Sequence, residues 1–274
     1  MATPEHDLKP VRDSVSDVFD KDGVRLTVDD EIATVTLTHP AKRNAQSPAL
    51  WRALAEAGRS LPGSVRVVLL RAEGKSFSAG LDRQAFTPEG FDGEPSFLDM
   101  ARGDDAELDA TIAEYQEAFT WWRRSDIVSI AAVQGHAIGA GFQLALACDL
   151  RVVADDVQFA MRETSLGLVP DLTGTHPLTG LVGYGRALEI CLTGRFVTAE
   201  EAVGSGLANV AVPRDQLDAT TRDLASAILA APRSAVIETK ALLRSAGTHS
   251  YEEQRAAERQ AQGRRLRDLA GLGE

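Results

Sequence analysis

Three features of the sequence predict an α/β fold. The runs VRVVLLRA (65–72) and IVSIAAVQG (127–135) are short, apolar and rich in β-branched residues, as strands buried on both faces are. Each leads through a glycine-bearing loop toward a helical pattern, so buried strands alternate with helices. Ahead of both, VRLTVDDEIATVTLTHP (24–40) alternates apolar and polar residues on either side of a DDE turn, the pattern of a β-hairpin.

The elements follow in order. In SPALWRALAEAGRSL (47–61), Ser47 is the N-cap and Pro48 the first helical residue, and Leu50, Leu54, Ala57 and Leu61 recur at helical spacing. The 65–72 strand runs into the loop EGKSFSAGLD. Residues 83–105 are rich in glycine, proline and aspartate, which predicts a mobile loop. AELDATIAEYQEAFTWWRRS (106–125) reads as a helix. The second buried strand runs into GHAIGAGFQLALACDL (135–150), where three glycines precede an apolar helix. LRVVA and VQFA are short strands, TAEEAVGSG carries a Thr198/Glu201 capping box, and LANVAV is a last strand. From about Gln216 onward the chain reads as helix.

The chain of 274 residues has no compositional break, which predicts one sizeable domain. A net charge of −11 and the lack of a long basic run argue against nucleic acid as a partner. No apolar stretch approaches the about 20 residues of a membrane span. The N-terminus is polar, lacks the apolar core of a secretory signal, and reads as a disordered tail over residues 1–22. Cys148 and Cys191 lie in apolar surroundings, which predicts free thiols and a cytoplasmic protein.

Common catalytic signatures are missing. Gly139 and Gly141 are followed by Phe142, Gln143 and Leu144, so the third glycine of a dinucleotide fingerprint is absent. No P-loop, H-E-x-x-H, C-x-x-C or G-x-S-x-G occurs, and no metal site is expected. His136 and His176 read as structural. What remains is a repeated device: two buried strands each enter a loop of small residues, SFSAGLD and GHAIGAG. Small side chains leave backbone N–H groups approachable, and two that converge on one oxygen form an oxyanion hole. The same glycines also suit a purely structural role, letting strand and helix pack closely. Further on, FAMRETSLGLVPDLTGTHPL (159–178) carries Glu163 and Asp171, eight residues apart, and Pro170 disfavours one continuous helix between them.

In this order, these segments resemble the crotonase, or enoyl-CoA hydratase/isomerase, superfamily over about residues 23–265. HPAKRNA resembles its coenzyme A-binding turn, and SFSAGLD its first oxyanion-hole motif. IAAVQGHAIGAGFQLALACDLRVVA resembles its second, FAMRETSLGLVPDLTGTHPL its catalytic segment, and LTGRFVTAEEAVGSGLANVAVP the unit beyond. The resemblance implies the ClpP-like fold of repeated ββα units, with a core domain over 23–212 and a helical oligomerisation region over 213–274. It implies a homotrimer or a hexamer built as a dimer of trimers. It also implies an acyl-CoA thioester as substrate, so that coenzyme A enters with the substrate and no cofactor is permanently bound.

Carried over by position, the N–H groups of Ala79 and Ala140 would hold the thioester oxygen. Lys42, Arg43 and Ala45 would line the coenzyme A path, along with Ser78, Gly80, Leu81, Asp82 and Gly139. Hydratases of the family place glutamate where this chain has Gln143, and commonly glycine where it has Asp171. A Glu and an Asp eight apart resemble certain isomerases and dehydratases of the superfamily. Glu163 and Asp171 are therefore expected to be the catalytic pair, with Gln143 hydrogen-bonding substrate or water without titrating. The expected activity is hydration or isomerisation of an enoyl-CoA through a stabilised enolate, in fatty-acid or related acyl-CoA catabolism. A non-catalytic acyl-CoA binder of the same fold is the alternative.

Overall fold

The computed structural model describes residues 16–91, 93–94 and 96–273. Along the chain, β1 (Ser16–Lys21), β2 (Val24–Asp29) and β3 (Ile32–Leu37) precede α1 (Pro48–Arg59) and β4 (Val67–Ala72). Then come α2 (Phe97–Met100), α3 (Asp105–Thr120), β5 (Val128–Val133), β6 (His136–Ile138) and α4 (Ala140–Ala147). β7 (Leu150–Ala154), β8 (Gln158–Ala160), α5 (Thr175–Val182), α6 (Tyr184–Thr193), β9 (Val197–Thr198), α7 (Ala199–Gly204) and β10 (Val210–Val212) follow. The chain closes with α8 (Leu217–Leu229), α9 (Arg233–Ser245) and α10 (Tyr251–Leu269).

The main sheet has seven strands in the order β1-β2-β3-β4-β5-β7-β10. The first three form an antiparallel meander, and every pairing from β3 to β10 is parallel. Alternate side chains of the central strands enter two separate cores. Val68, Leu70, Ala131 and Val133 face the large core with α1 and α4, whereas Val67, Leu69, Ile130 and Ala132 face α8 residues Leu217 and Ala225. Burial on both faces is why these strands read as unbroken apolar runs. A second sheet, β6-β8-β9, stands beside the C-terminal ends of β4 and β5, where loops of an open α/β sheet gather.

Local signals held in detail. Ser47 caps α1 by accepting from the Leu50 N–H at 3.3 Å. The 24–40 hairpin forms with Val28 opposite Ala33. Three readings need amendment. The tail expected over residues 1–22 lies outside the described residues up to position 15, and its end, Ser16–Lys21, forms edge strand β1 on β2. Within the loop expected at 83–105, Arg83–Phe86 makes a 3₁₀ turn capped by Asp82, and Phe97–Met100 is a helix capped by Ser96. The Thr198/Glu201 box is half formed: Thr198 accepts from the Glu201 N–H at 3.4 Å, while the Glu201 carboxylate pairs with Arg195 at 2.6 Å.

Both cysteines are free; Cys148 is buried, which pushes its thiol up to about 12, and Cys191 is half-buried. Among the described residues, no helix is long and apolar enough to cross a membrane.

Candidate active site

The loops after β4 and β5 are stitched together by backbone bonds. The Ser78 N–H donates to the His136 carbonyl at 2.9 Å and the Ile138 N–H to the Ser78 carbonyl at 3.0 Å. Gly80 lies against this seam: a Cβ there would sit 2.5 Å from the Ile138 oxygen and 3.7 Å from the Ala140 nitrogen. Only glycine permits that approach, at a φ of +86°.

The turn at residues 39–46 closes the other side. Asn44 is fully buried; its Oδ1 accepts from the His39 N–H, and its Nδ2 donates to the carbonyls of Glu73 and Ser76. Ser78 is also fully buried, donating to the Asn44 carbonyl at 2.8 Å and accepting from Gln46 and the Gly80 N–H. The Ser78 side chain is thus turned inward and saturated, and does not face a ligand path as expected. Asn44 and Gln46 were missed in the sequence because their partners lie about thirty residues away.

These contacts decide which backbone donors are free. The Ala79 N–H donates to the Arg43 carbonyl at 2.9 Å, so it is not available for the role expected of it. The Gln46 N–H donates to the Gly80 carbonyl and the Asp82 N–H to the Gln46 carbonyl, both at 2.8 Å. Backbone groups alternate sides along an extended segment, so Leu81, between those two bonds, turns its own N–H away from Gln46. That N–H has no acceptor among the described residues, nor has the N–H of Ala140, the first residue of α4. Two unpaired donors side by side on the two loops are the elements of a site for an anionic oxygen.

A groove of about 640 Å³ runs to this point. Lys42, Arg43, Arg83 and His136 line it with Ala45, Ala79, Leu81 and Asp82. Its cationic groups stand out in a chain of net charge −11. Lys42 leans on Asp82 at 3.3 Å with two thirds of its side chain exposed, a weak and easily exchanged pairing.

Glu163 and Gln143 meet beside the free Ala140 N–H. A Cβ on Gly139 would lie 3.3 Å from Glu163 Oε1. Glu163 is 9 % exposed; Oε1 accepts from Gln143 Nε2 at 2.7 Å, and Oε2 is buried with no partner. Burial raises its pKa, and the nearby charge of Asp171 adds to the rise, while the Gln143 amide opposes it. Asp171 still reaches solvent, yet the protein packed around it raises its pKa too. Of the two acids predicted from the sequence, Glu163 is buried beside α4, and Asp171 lies near enough for its charge to be felt there.

Gln143 is not left facing an open site. Its Oε1 accepts from the Leu172 N–H at 2.9 Å and the Gly174 N–H at 3.2 Å. One amide thus holds the Asp171 loop and orients Glu163 at once. An ionised glutamate could accept those two N–H bonds but could not donate to Glu163. From the other side, Gln116 of α3 donates to the Asp171 carbonyl at 2.6 Å, a contact with no sequence signal. No cluster of three or more His, Cys, Asp or Glu suited to a metal occurs among the described residues.

The sequence profile of the Enoyl-CoA hydratase/isomerase family matches residues 27–268. The chain belongs to that family. This hydratase/isomerase-family enzyme is 33% identical over 235 residues to a human mitochondrial Delta(3,5)-Delta(2,4)-dienoyl-CoA isomerase, covering 80% of this chain and 67% of that one. Among solved structures it resembles a candidate enoyl-CoA hydratase of Thermobifida fusca YX in complex with CoA. That match has a TM-score of 0.86 and 49% identity, over 91% of this chain and 95% of the other. The same Thermobifida protein has been solved with acetoacetyl-CoA, at a TM-score of 0.85. An enoyl-CoA hydratase of Mycobacterium smegmatis is 33% identical, with a TM-score of 0.74 over 89% of this chain and 90% of that one.

Proposed function

We propose that this enzyme moves a carbon–carbon double bond within an acyl-CoA thioester. The thioester oxygen accepts from the N–H groups of Leu81 and Ala140, with the coenzyme A moiety along the groove past Lys42, Arg43 and Ala45. Ionised Glu163, beside Ala140, removes a proton from the carbon next to the carbonyl. The resulting charge develops on the thioester oxygen, where the two fixed donors stabilise it. Protonated Asp171 returns a proton to the far carbon of the conjugated system, and the double bond has shifted with no net gain of atoms. Raised pKa values suit both roles, because each acid must hold and release a proton near neutral pH.

The observation that carries this reading is the hold on Gln143, whose oxygen accepts two backbone N–H bonds while its nitrogen donates to Glu163. Both ends of its amide are used by Glu163 and the 172–174 backbone. With Gln143 so held, Asp171 is the acid left near Glu163, and in the proposed function it returns the proton and does not activate a water. The likeness to a dienoyl-CoA isomerase supports the same choice. Self-association into a trimer or hexamer fits Leu243, Tyr251, Leu266 and Leu269, apolar residues left exposed on α9 and α10; light scattering checks it.

The test uses 3-enoyl-CoA and 3,5-dienoyl-CoA thioesters in ²H₂O and in H₂¹⁸O. The expected result is growth of the conjugated thioester absorbance, solvent deuterium in the product and no ¹⁸O. Incorporation of ¹⁸O would show hydration instead, and tight binding without turnover would mark a binder.

A further inference from the structure

The far end of α4 carries a feature that packing does not explain. All eight residues of this helix are buried, and its first N–H faces the reacting oxygen in the proposed function. Of its last carbonyls, which no helical N–H can reach, those of Ala145, Leu146 and Ala147 accept from arginines. Arg123 Nη2 donates to Leu146 at 2.9 Å and its Nε to Ala147 at 3.2 Å. Arg151 Nη1 donates to Cys148 at 2.8 Å and to Ala145 at 3.4 Å; its Nε reaches the Leu207 carbonyl at 2.6 Å, and its Nη2 the Asp149 carbonyl at 3.3 Å.

Arg151 is 2 % exposed, and no carboxylate bonds to it. The nearest acid, Asp149, spends its Oδ2 on Ser129 and on Lys240 at 2.7 Å. Arg124 nearby is paired with Asp126, and Arg244 donates to the Arg123 carbonyl. The cluster thus holds more positive than negative charge. A buried cation without a counterion is costly, and an apolar side chain would fill its volume more cheaply.

We propose that Arg151 and Arg123 are positioning residues for the oxyanion hole, acting through α4. They fix the helix by its C-terminal carbonyls and neutralise the negative end of its dipole, so that the positive end at Ala140 acts unopposed on the enolate. The helix is about 12 Å long at 1.5 Å per residue, so each guanidinium lies on the order of 15 Å from the reacting oxygen. At that range one charge is worth about five-fold in rate in a partly polar interior. The ground-state thioester carries little charge there, so the effect falls on turnover and not on binding.

The inference rests on the proposed oxyanion hole, and one experiment separates the two. Acetoacetyl-CoA ionises to an absorbing enolate, and its apparent pKa when bound reports how well the hole holds negative charge. The wild type is expected to lower that pKa below its value in water. Arg123→Gln keeps a donor but loses the charge, and should raise the bound pKa and cut turnover about five-fold, with KM within about two-fold. Arg123→Lys should restore both. Arg151→Gln should do the same more strongly if it folds; if it does not, the Arg123 pair decides. Bound pKa and turnover unchanged in Arg123→Gln would overturn the proposal and leave the hole standing. A wild type that does not lower the pKa would remove the hole, and the proposal with it.

Discussion

Two carboxylates lie at opposite ends of α4, and they are treated in opposite ways. Asp149, past the C-terminus, has one oxygen that accepts from the Ser129 N–H, the Ser129 hydroxyl and Lys240. Glu163, beside the N-terminus, has one amide donor on Oε1 and nothing on a buried Oε2. The first is compensated and ties helix α9 to the core. The second is left under-compensated, and burial raises its pKa above the usual carboxylate range. Charge is neutralised where α9 is tied to the core and left unsatisfied where the proposed function needs a proton to move.

The largest test of this contrast is Glu163→Gln. Turnover should fall by about 10³-fold. The variant should also melt higher than the wild type at neutral pH, because the glutamine oxygen still accepts from Gln143 and no charge is buried. The sign follows from linkage: the folded pKa of Glu163 is raised above its ordinary 4.5, so ionisation costs stability at higher pH. The gap in melting temperature should therefore shrink as pH falls through the raised value toward 4.5, as scanning calorimetry across that range would show. A gap that stays constant with pH would mean that Glu163 is not a destabilising charge.

Asp149→Asn should show the reverse pattern. It strands the mostly buried Lys240 ammonium, so it should cost about 3 kcal/mol, or roughly 6–12 °C in melting temperature. Turnover per folded molecule should change far less than in Glu163→Gln, as titrating active sites in the same samples would reveal.

Gln143→Leu sharpens the comparison by removing the one side-chain donor to Glu163. It frees the Leu172 and Gly174 N–H groups as well, so turnover should drop by about 10²-fold. Loss of the amide lets the Glu163 pKa rise further, so the acid limb of the kcat/KM profile should move to higher pH. An unmoved limb would mean that Glu163 is not the group titrating there. The smallest effect is expected for Gln116→Ala, which loosens the Asp171 loop from α3 alone. A fall of about five-fold in turnover, with melting temperature nearly unchanged, is the outcome to look for.

Much of this was legible in the sequence. The buried strands, the hairpin and the Ser47 cap rest on patterns within a few residues, and the family resemblance on motifs in a fixed order. Which N–H of the first small-residue loop is left unpaired was not legible. Ala79 and Leu81 are two residues apart in the same small-residue loop, and nothing in SFSAGLD distinguishes their N–H groups. The difference comes from residues 43 and 46, which bond one side of the loop and leave Leu81 facing the other.

Composition, periodicity and motif order by themselves determined the α/β class and the family resemblance, and singled out Glu163 and Asp171 as candidate acids, because burial patterns and chemistry-bearing side chains are written locally. Tertiary structure alone decided that Ala79 is occupied and Leu81 free, that Gln143 clamps a loop, and that two arginines close the far end of α4. Each of those facts depends on which distant carbonyl or N–H faces a given group. A hydrogen bond is short and directional, and its partner is chosen by the fold and not by the neighbouring sequence.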